Sequence, residues 1–262
     1  GHRVYPVASV PRLRRVAEAL ARGHRAGEVV CASEDDLAAL LGTLPALAPT
    51  SVTPEGPADP EELLGLVARF DGAGLTRALA AEWGRLGPLA FLGQRAAPLV
   101  HAVGDAWASG RLEIRHEHFL SERLGDLLRA YRMPYEERAR GPLVVLATLP
   151  AEAHALGLQM AALVVAMGGC RVCYVGTEVP VEQLANVASD LGARAVGVSV
   201  SALTRGVRAT RQLGRLRALL ASRVLLIVGG DGAPAARPGV RVLQDFGALR
   251  AWTQTLANGA GV

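Results

Sequence analysis

The sequence predicts an α/β protein in which a four-helix bundle precedes a domain built on a parallel sheet. Three observations carry the prediction. From about Leu143 onward, short apolar runs alternate with amphipathic helical patterns, which is the signature of β-α units with helices on both faces of a sheet. Between Asp59 and Tyr131 only helical periodicity is found, broken by short connections. The residues themselves are 50% hydrophobic but only 4% aromatic. Such a composition suits helices packed on helices and on a parallel sheet.

Taken in order, the chain opens with GHRVYPVASVPRLRRVAEALARG. Ser9 is a plausible N-cap and Pro11 suits a first helical turn. Leu13, Val16, Ala17 and Leu20 then fall at helical spacing until Gly23 stops the helix. Residues 44–58 contain Pro45, Pro49, Pro54 and Pro57 with no apolar period, and form a linker. Asp59 as N-cap, Pro60 at the first helical position and Glu62 at the third start the bundle. Its helices are expected at about 60–70, 75–86, 88–109 and 113–131, with the last ending before Pro134.

Strands follow near 143–148, 171–175, 195–200 and 224–228, with helices near 155–168, 181–191 and 205–221 between them. A weaker strand at Val240–Leu243 and a helix near 247–256 complete five β-α units. The pattern is that of the flavodoxin-like or Rossmann-like class. Four segments result: 1–43, the linker 44–58, the bundle 59–136 and the sheet domain 137–262.

Composition narrows the functional classes. All 28 basic residues are arginine, so the net charge of +4 points only weakly to nucleic acid. There is no signal peptide or long apolar span, and Cys31, Cys170 and Cys173 cannot make a disulfide framework; a cytoplasmic protein is expected. Cys170 and Cys173 form a C-x-x-C within GCRVCYVG, where strand alternation sends the two sulfurs to opposite faces, so core packing is expected of them.

The chemistry converges after the first strand. His154 lies in the loop between the run Leu143–Ala147 and the next helix, and ligands of open α/β sheets bind beyond the carboxyl ends of the strands. The surrounding E-A-H-A-L-G, Glu152 to Gly157, resembles the D/E-x-H-x-x-G loop of cobalamin-binding domains. The resemblance implies that His154 is the lower axial ligand of cobalt and that Glu152 holds the far ring nitrogen, which fixes the tautomer and raises the basicity of the imidazole. Gly157 would let the helix start approach the corrin edge. Ser201-Ala202-Leu203 after the third strand resembles the family's S-x-L, and Gly229-Gly230 after the fourth its G-G. Ser201, Leu203, Gly229 and Gly230 would then line the path of the displaced nucleotide tail.

In the bundle, Trp107 followed after nine residues by Glu117-His118 resembles the W-x9-E-H motif of CarH-type light-responsive repressors, which combine a MerR-type DNA-binding domain, a four-helix bundle and a cobalamin domain. This implies a tryptophan, Trp107, over the upper face around a 5′-deoxyadenosyl group, and Glu117 bonded to that group. G-H-R-V-Y at the start resembles the wing of MerR-type winged-helix domains, making Arg3 and Tyr5 candidates for phosphate contacts and residues 1–43 the remnant of such a domain, with its helix-turn-helix upstream.

One residue departs from the family: Ala108 stands where a histidine is taken to bind cobalt after photolysis. Either water takes that place or one of His101, His116 and His118 does; His118, already inside the motif, is favoured.

The resemblance implies a regulator and not an enzyme. It would carry adenosylcobalamin, or a cobalamin with another upper ligand, bind operator DNA as a dark homo-oligomer, typically a tetramer, and be released by light. Two alternatives stand beside it: a corrinoid carrier of a methyltransferase or mutase system, and a regulator that senses cobalamin supply.

Overall fold

The computed structural model describes residues 59–259 continuously and, ahead of them, residues 26–37 together with Arg12, Val16 and Ala19. Arg3, Tyr5 and most of the 1–43 and 44–58 segments therefore lie outside the described residues. The chain divides into two compact units, Gly1–Pro57 and Ala58–Val262. In the first, helix α1 (Ala26–Cys31) is tied to a helical Arg12 through guanidinium bonds to the carbonyls of Val30 (3.3 Å) and Ala32 (2.8 Å). Ala19, Val29 and Leu37 make a small buried core there.

Near the start of the second unit Asp59 caps a helix. Its carboxylate accepts from the backbone N–H of Glu61 (3.1 Å) at the start of α2 (Pro60–Ala68). Phe70, in the left-handed region at φ 57°, reverses the chain, and Asp71 caps α3 (Gly72–Leu86), which starts three residues earlier than its apolar pattern suggests. The third helix is not uniform. Pro88–Phe91 (α4) passes through a π turn, Leu92–Ala96, into α5 (Ala97–Ala108). The π turn carries Arg95, whose guanidinium reaches the buried carboxylate of Glu82; Arg85 bonds the same carboxylate at 2.8 Å, so this buried charge is paired.

The last bundle helix, α6 (Ile114–Arg138), corrects the sequence reading: it runs through Pro134. A proline removes one backbone bond, but here Arg132 and Glu136 form an ion pair across it, with Nε and Oε1 2.9 Å apart, and the Arg132 guanidinium lies 5.1 Å from the Tyr174 ring centroid. Contacts on the neighbouring domain thus carry the helix past its expected stop.

The sheet domain contains β1 (Leu143–Thr148), α7 (Leu156–Met167), β2 (Arg171–Gly176), α8 (Val181–Asp190), β3 (Ala195–Ser199), α9 (Val207–Leu219), β4 (Leu225–Gly229), β5 (Arg241–Val242) and α10 (Phe246–Ala257). All four pairings are parallel and the strand order is β2-β1-β3-β4-β5, the flavodoxin-like order. Because β1, β3 and β4 are covered on both faces, they are near-continuous in Val, Leu and Ala.

One face packs against α7 and α10 and merges into the bundle core through α6; the other packs against α8 and α9. The α6–α7 approach is close: a Cβ on Gly125 would stand 3.2 Å from the Gln159 amide nitrogen. Cys170 is buried on the bundle-side face, while Cys173 packs toward the opposite one. Burial raises both thiols, Cys170 to about 11.

Candidate functional site: a carboxylate-oriented histidine beyond the sheet

β1 ends at Thr148, a buried threonine that sequence reasoning passed over. Its hydroxyl donates to the carbonyl of Glu152 (2.5 Å) and accepts from the backbone N–H of Glu178 (2.9 Å), so it stitches the loop after β1 to the loop after β2. Within this staple Ala151 adopts φ 69°, a tight left-handed turn that folds the next residue back beneath the loop.

That residue is Glu152, whose side chain is only 2% exposed and fully satisfied. Oε1 accepts from the backbone N–H of His154 (3.0 Å) and from its ring Nδ1 (2.6 Å). Oε2 accepts from the backbone N–H of Ser201 (2.8 Å) and from the hydroxyl of Thr204. Burial by itself pushes a carboxyl up, but the bonds from Thr204, Ser201 and the His154 backbone outweigh it and bring Glu152 down to about 2. The carboxylate is therefore ionised at neutral pH and can only accept.

This decides which tautomer a neutral His154 adopts. Nδ1 must carry the proton, so the neutral ring presents the lone pair of Nε2, and the side chain is half exposed beyond the end of β1. Glu152 and His154, paired in the sequence reading, are paired in the structure, and Ser201 joins them through its backbone. The Ser201 hydroxyl lies only at the limit of bonding, 3.5 Å from His154 Nδ1. Thr204 was missed; the only sequence signal was a hydroxyl three residues after Ser201.

The glycines serve the same cluster by packing. Gly230 has φ 95°, and a Cβ there would stand 2.3 Å from the Val200 carbonyl oxygen; one on Gly232 would stand 1.9 Å from that of Ser201. The turn after β4 is thereby pressed onto the end of β3, where the Gly229 carbonyl accepts from the N–H of Val200 and the N–H of Gly232 donates to the Val200 carbonyl, both at 3.0 Å. Gly157 meets not open space but the Ser199 hydroxyl, which would lie 3.2 Å from a Cβ at that position, so it sets the approach of α7 to β3. Leu203 is 71% exposed.

Trp107, Glu117 and His118 stand on the bundle and share no hydrogen bond with this cluster. Trp107 is 44% exposed and is no core tryptophan; Trp83 is partly buried against the bundle core and stacks on Tyr131 at 4.0 Å. Glu117 accepts from His118 Nδ1 (2.8 Å) and from Ser121 (2.7 Å), which positions its carboxylate. Of the other imidazoles, His116 is buried, stacked on Phe70 at 4.6 Å and bonded to Glu113 in a helix cap. His101 is exposed and bonds Asp231 through Nε2 at 2.7 Å.

Residues 142–249 match the family model described as B12 binding domain. The chain is 33% identical over 177 residues to the HTH-type transcriptional repressor CarH of Myxococcus xanthus, an alignment that covers 66% of this chain and 58% of the repressor, so the chain spans less than two thirds of that relative. The monomethylamine corrinoid protein of Methanosarcina barkeri shares the fold, with a TM-score of 0.59 at 13% identity over 74% of this chain and 95% of that one.

The donor set fits such a cofactor. Among the described residues no three His, Cys, Asp or Glu side chains gather to cage a metal. His154 presents a single ring nitrogen oriented by a buried carboxylate, and one such donor would suit a metal whose other positions a corrin ring would fill. Residues 142–249 thus match a B12-binding domain, and the sequence is similar to that of the CarH repressor; in the chain a helical bundle precedes the matched domain.

Proposed function

We propose that the chain is the cobalamin-binding part of a light-responsive transcriptional repressor, without enzymatic activity, that binds operator DNA as a dark oligomer and leaves it on illumination. The observation that carries the reading is the Glu152–His154 pair, a ring held with Nε2 outward at the carboxyl end of β1. When bound, an alkylcobalamin supplies a cobalt–carbon bond that visible light breaks.

The chain's own residues do the rest. His154 would hold the cobalt through Nε2, and Glu152 would keep the ring in that tautomer. Gly157 would let the start of α7 approach the corrin edge, and Ser201, Leu203, Gly229 and Gly230 would surround the nucleotide tail. Trp107, 44% exposed, would shield the bound cofactor together with Glu117 and His118. Arg3 and Tyr5 belong to the DNA-binding segment, and several such segments in one assembly, a tetramer in this reading, multiply a weak individual affinity. A group wedged between bundle and sheet contributes a contact to one domain arrangement and not another, which is what a switch requires.

The test is to load the protein with adenosylcobalamin in darkness and compare absorption, molecular mass and operator binding before and after green light. Loss of mass and of DNA binding together supports the proposal. An unaltered mass with cofactor bound overturns the light switch and leaves a carrier or a sensor of cobalamin supply.

A further inference from the structure

Two of the contacts between bundle and sheet domain lie on either side of the candidate site in the order of the strands. On one side α6 lies along α7, with Gly125 against Gln159 and Arg132 over Tyr174 of β2. On the other, His101 of α5 reaches over to Asp231 in the turn after β4, with Nε2 and Oδ2 2.7 Å apart. In the order β2-β1-β3-β4, the loops that carry His154 (after β1) and Ser201 (after β3) fall between those two attachments. One attachment is broad and apolar, with α6 side chains in the common core. The other is a single polar bond between side chains that are 60% and 63% exposed.

From this juxtaposition we infer that His101 and Asp231 are a gate: the bundle opens from the sheet about the α6–α7 contact, and breaking the His101–Asp231 bond is the step that admits the cofactor to His154. The inference rests on the cobalamin reading of the site and adds to it residues that the family motifs do not include. Asp231 is the fixed half. It lies between Gly230 and Gly232, whose close packing on the Val200 and Ser201 backbones leaves the turn no room to follow α5. His101 is therefore the half that leaves. A corrinoid arriving from solvent must pass between α5 and the loops after β1 and β3, and the bond closes that passage on the β4 side.

The experiment is stopped-flow uptake of hydroxocobalamin by the whole chain, followed through the change in its visible spectrum as imidazole replaces the lower ligand. His101→Ala and Asp231→Ala should each speed uptake by about two- to fivefold, the size expected when an exposed ion pair is lost. The double variant should be no faster than either single one, because each removes the same bond. Both side chains are exposed, and a thermal midpoint close to that of the unaltered chain establishes that the variants fold. Unchanged uptake rates, or effects that multiply in the double variant, overturn the gate. If the unaltered chain takes up no corrinoid with a His154-dependent spectrum, the cobalamin reading fails first and the gate falls with it; the two failures are separate results.

Discussion

Replacing Glu152 by glutamine tests the site without touching the imidazole. In the native chain the carboxylate accepts from four donors on His154, Ser201 and Thr204. Glutamine offers one oxygen and turns an NH2 toward donors, leaving buried N–H or O–H groups unpaired, at about 1–3 kcal/mol each. The protonation linkage gives an independent magnitude. Glu152 lies at about 2 against an ordinary 4.5, and each unit is worth about 1.4 kcal/mol, so ionisation of this group stabilises the fold by about 3 kcal/mol.

Because the folded value is the depressed one, that contribution is fully present above pH 4.5 and is lost as the pH falls toward 2. Urea unfolding of the cofactor-free chain and of Glu152→Gln, measured across this range, should show a gap of about 3 kcal/mol at pH 7 that narrows steadily below pH 4.5. A gap that stays constant from about pH 5 to about pH 2.5 would refute the argument, since the carboxylate would then not be held ionised by its donors. The same variant should let the His154 proton exchange between ring nitrogens, visible as altered imidazole nitrogen shifts in NMR.

Three further outcomes follow from the packing. Gly230→Ala should destabilise the chain by at least about 3 kcal/mol in urea unfolding, since the new methyl meets the Val200 carbonyl at a backbone angle that L-residues avoid; a cost under about 1 kcal/mol would mean that the turn after β4 is free to move. Pro134→Ala should raise the thermal midpoint, by restoring one backbone bond in α6 worth about 1 kcal/mol, and a fall would show that the helix depends on the proline ring. In thiol titration at about pH 8, exposed Cys31 should react at once, whereas buried Cys170, pushed up to about 11, should react only on unfolding; equal rates would place Cys170 at the surface.

The sheet domain is readable in nearly all its elements because each buried strand is an unbroken apolar run and each helix begins near a polar or proline residue. What escapes a reading of the sequence is tertiary. Pro134 carries a local stop signal, and the helix runs past it with Arg132 paired to Glu136 across the proline and set over Tyr174, which the fold brings near. The π turn at Leu92–Ala96 contains Gly93 and is followed by Pro98, local signals that do not by themselves specify a π turn; its tertiary correlate is the pairing of Arg95 with Glu82, thirteen residues back. Thr148 and Thr204 look like ordinary strand-end residues until the chain folds them against the carbonyl and the carboxylate of Glu152. Gly157 is a place of close approach, as its position in the loop motif suggests, but in the structure the approach is to Ser199.

The contrast between the two histidine–carboxylate pairs shows how one chemical motif serves two ends. Glu152 is almost wholly buried and saturated by four donors, so its hold on His154 is rigid and is sustained by the fold itself. Asp231 is mostly exposed and binds His101 with solvent at hand, so that bond can be exchanged for water at small cost. Burial separates them, because a pair that water can replace cannot fix a metal ligand, and a pair that water cannot replace cannot open a gate. The sequence places the first carboxylate two residues from its histidine and the second 130 residues away, on another element. A local pair keeps its geometry whatever the domains do, whereas a pair drawn from bundle and sheet exists only while the two are closed on each other. The first is therefore suited to orient a ligand and the second to report, and to govern, whether the domains are together.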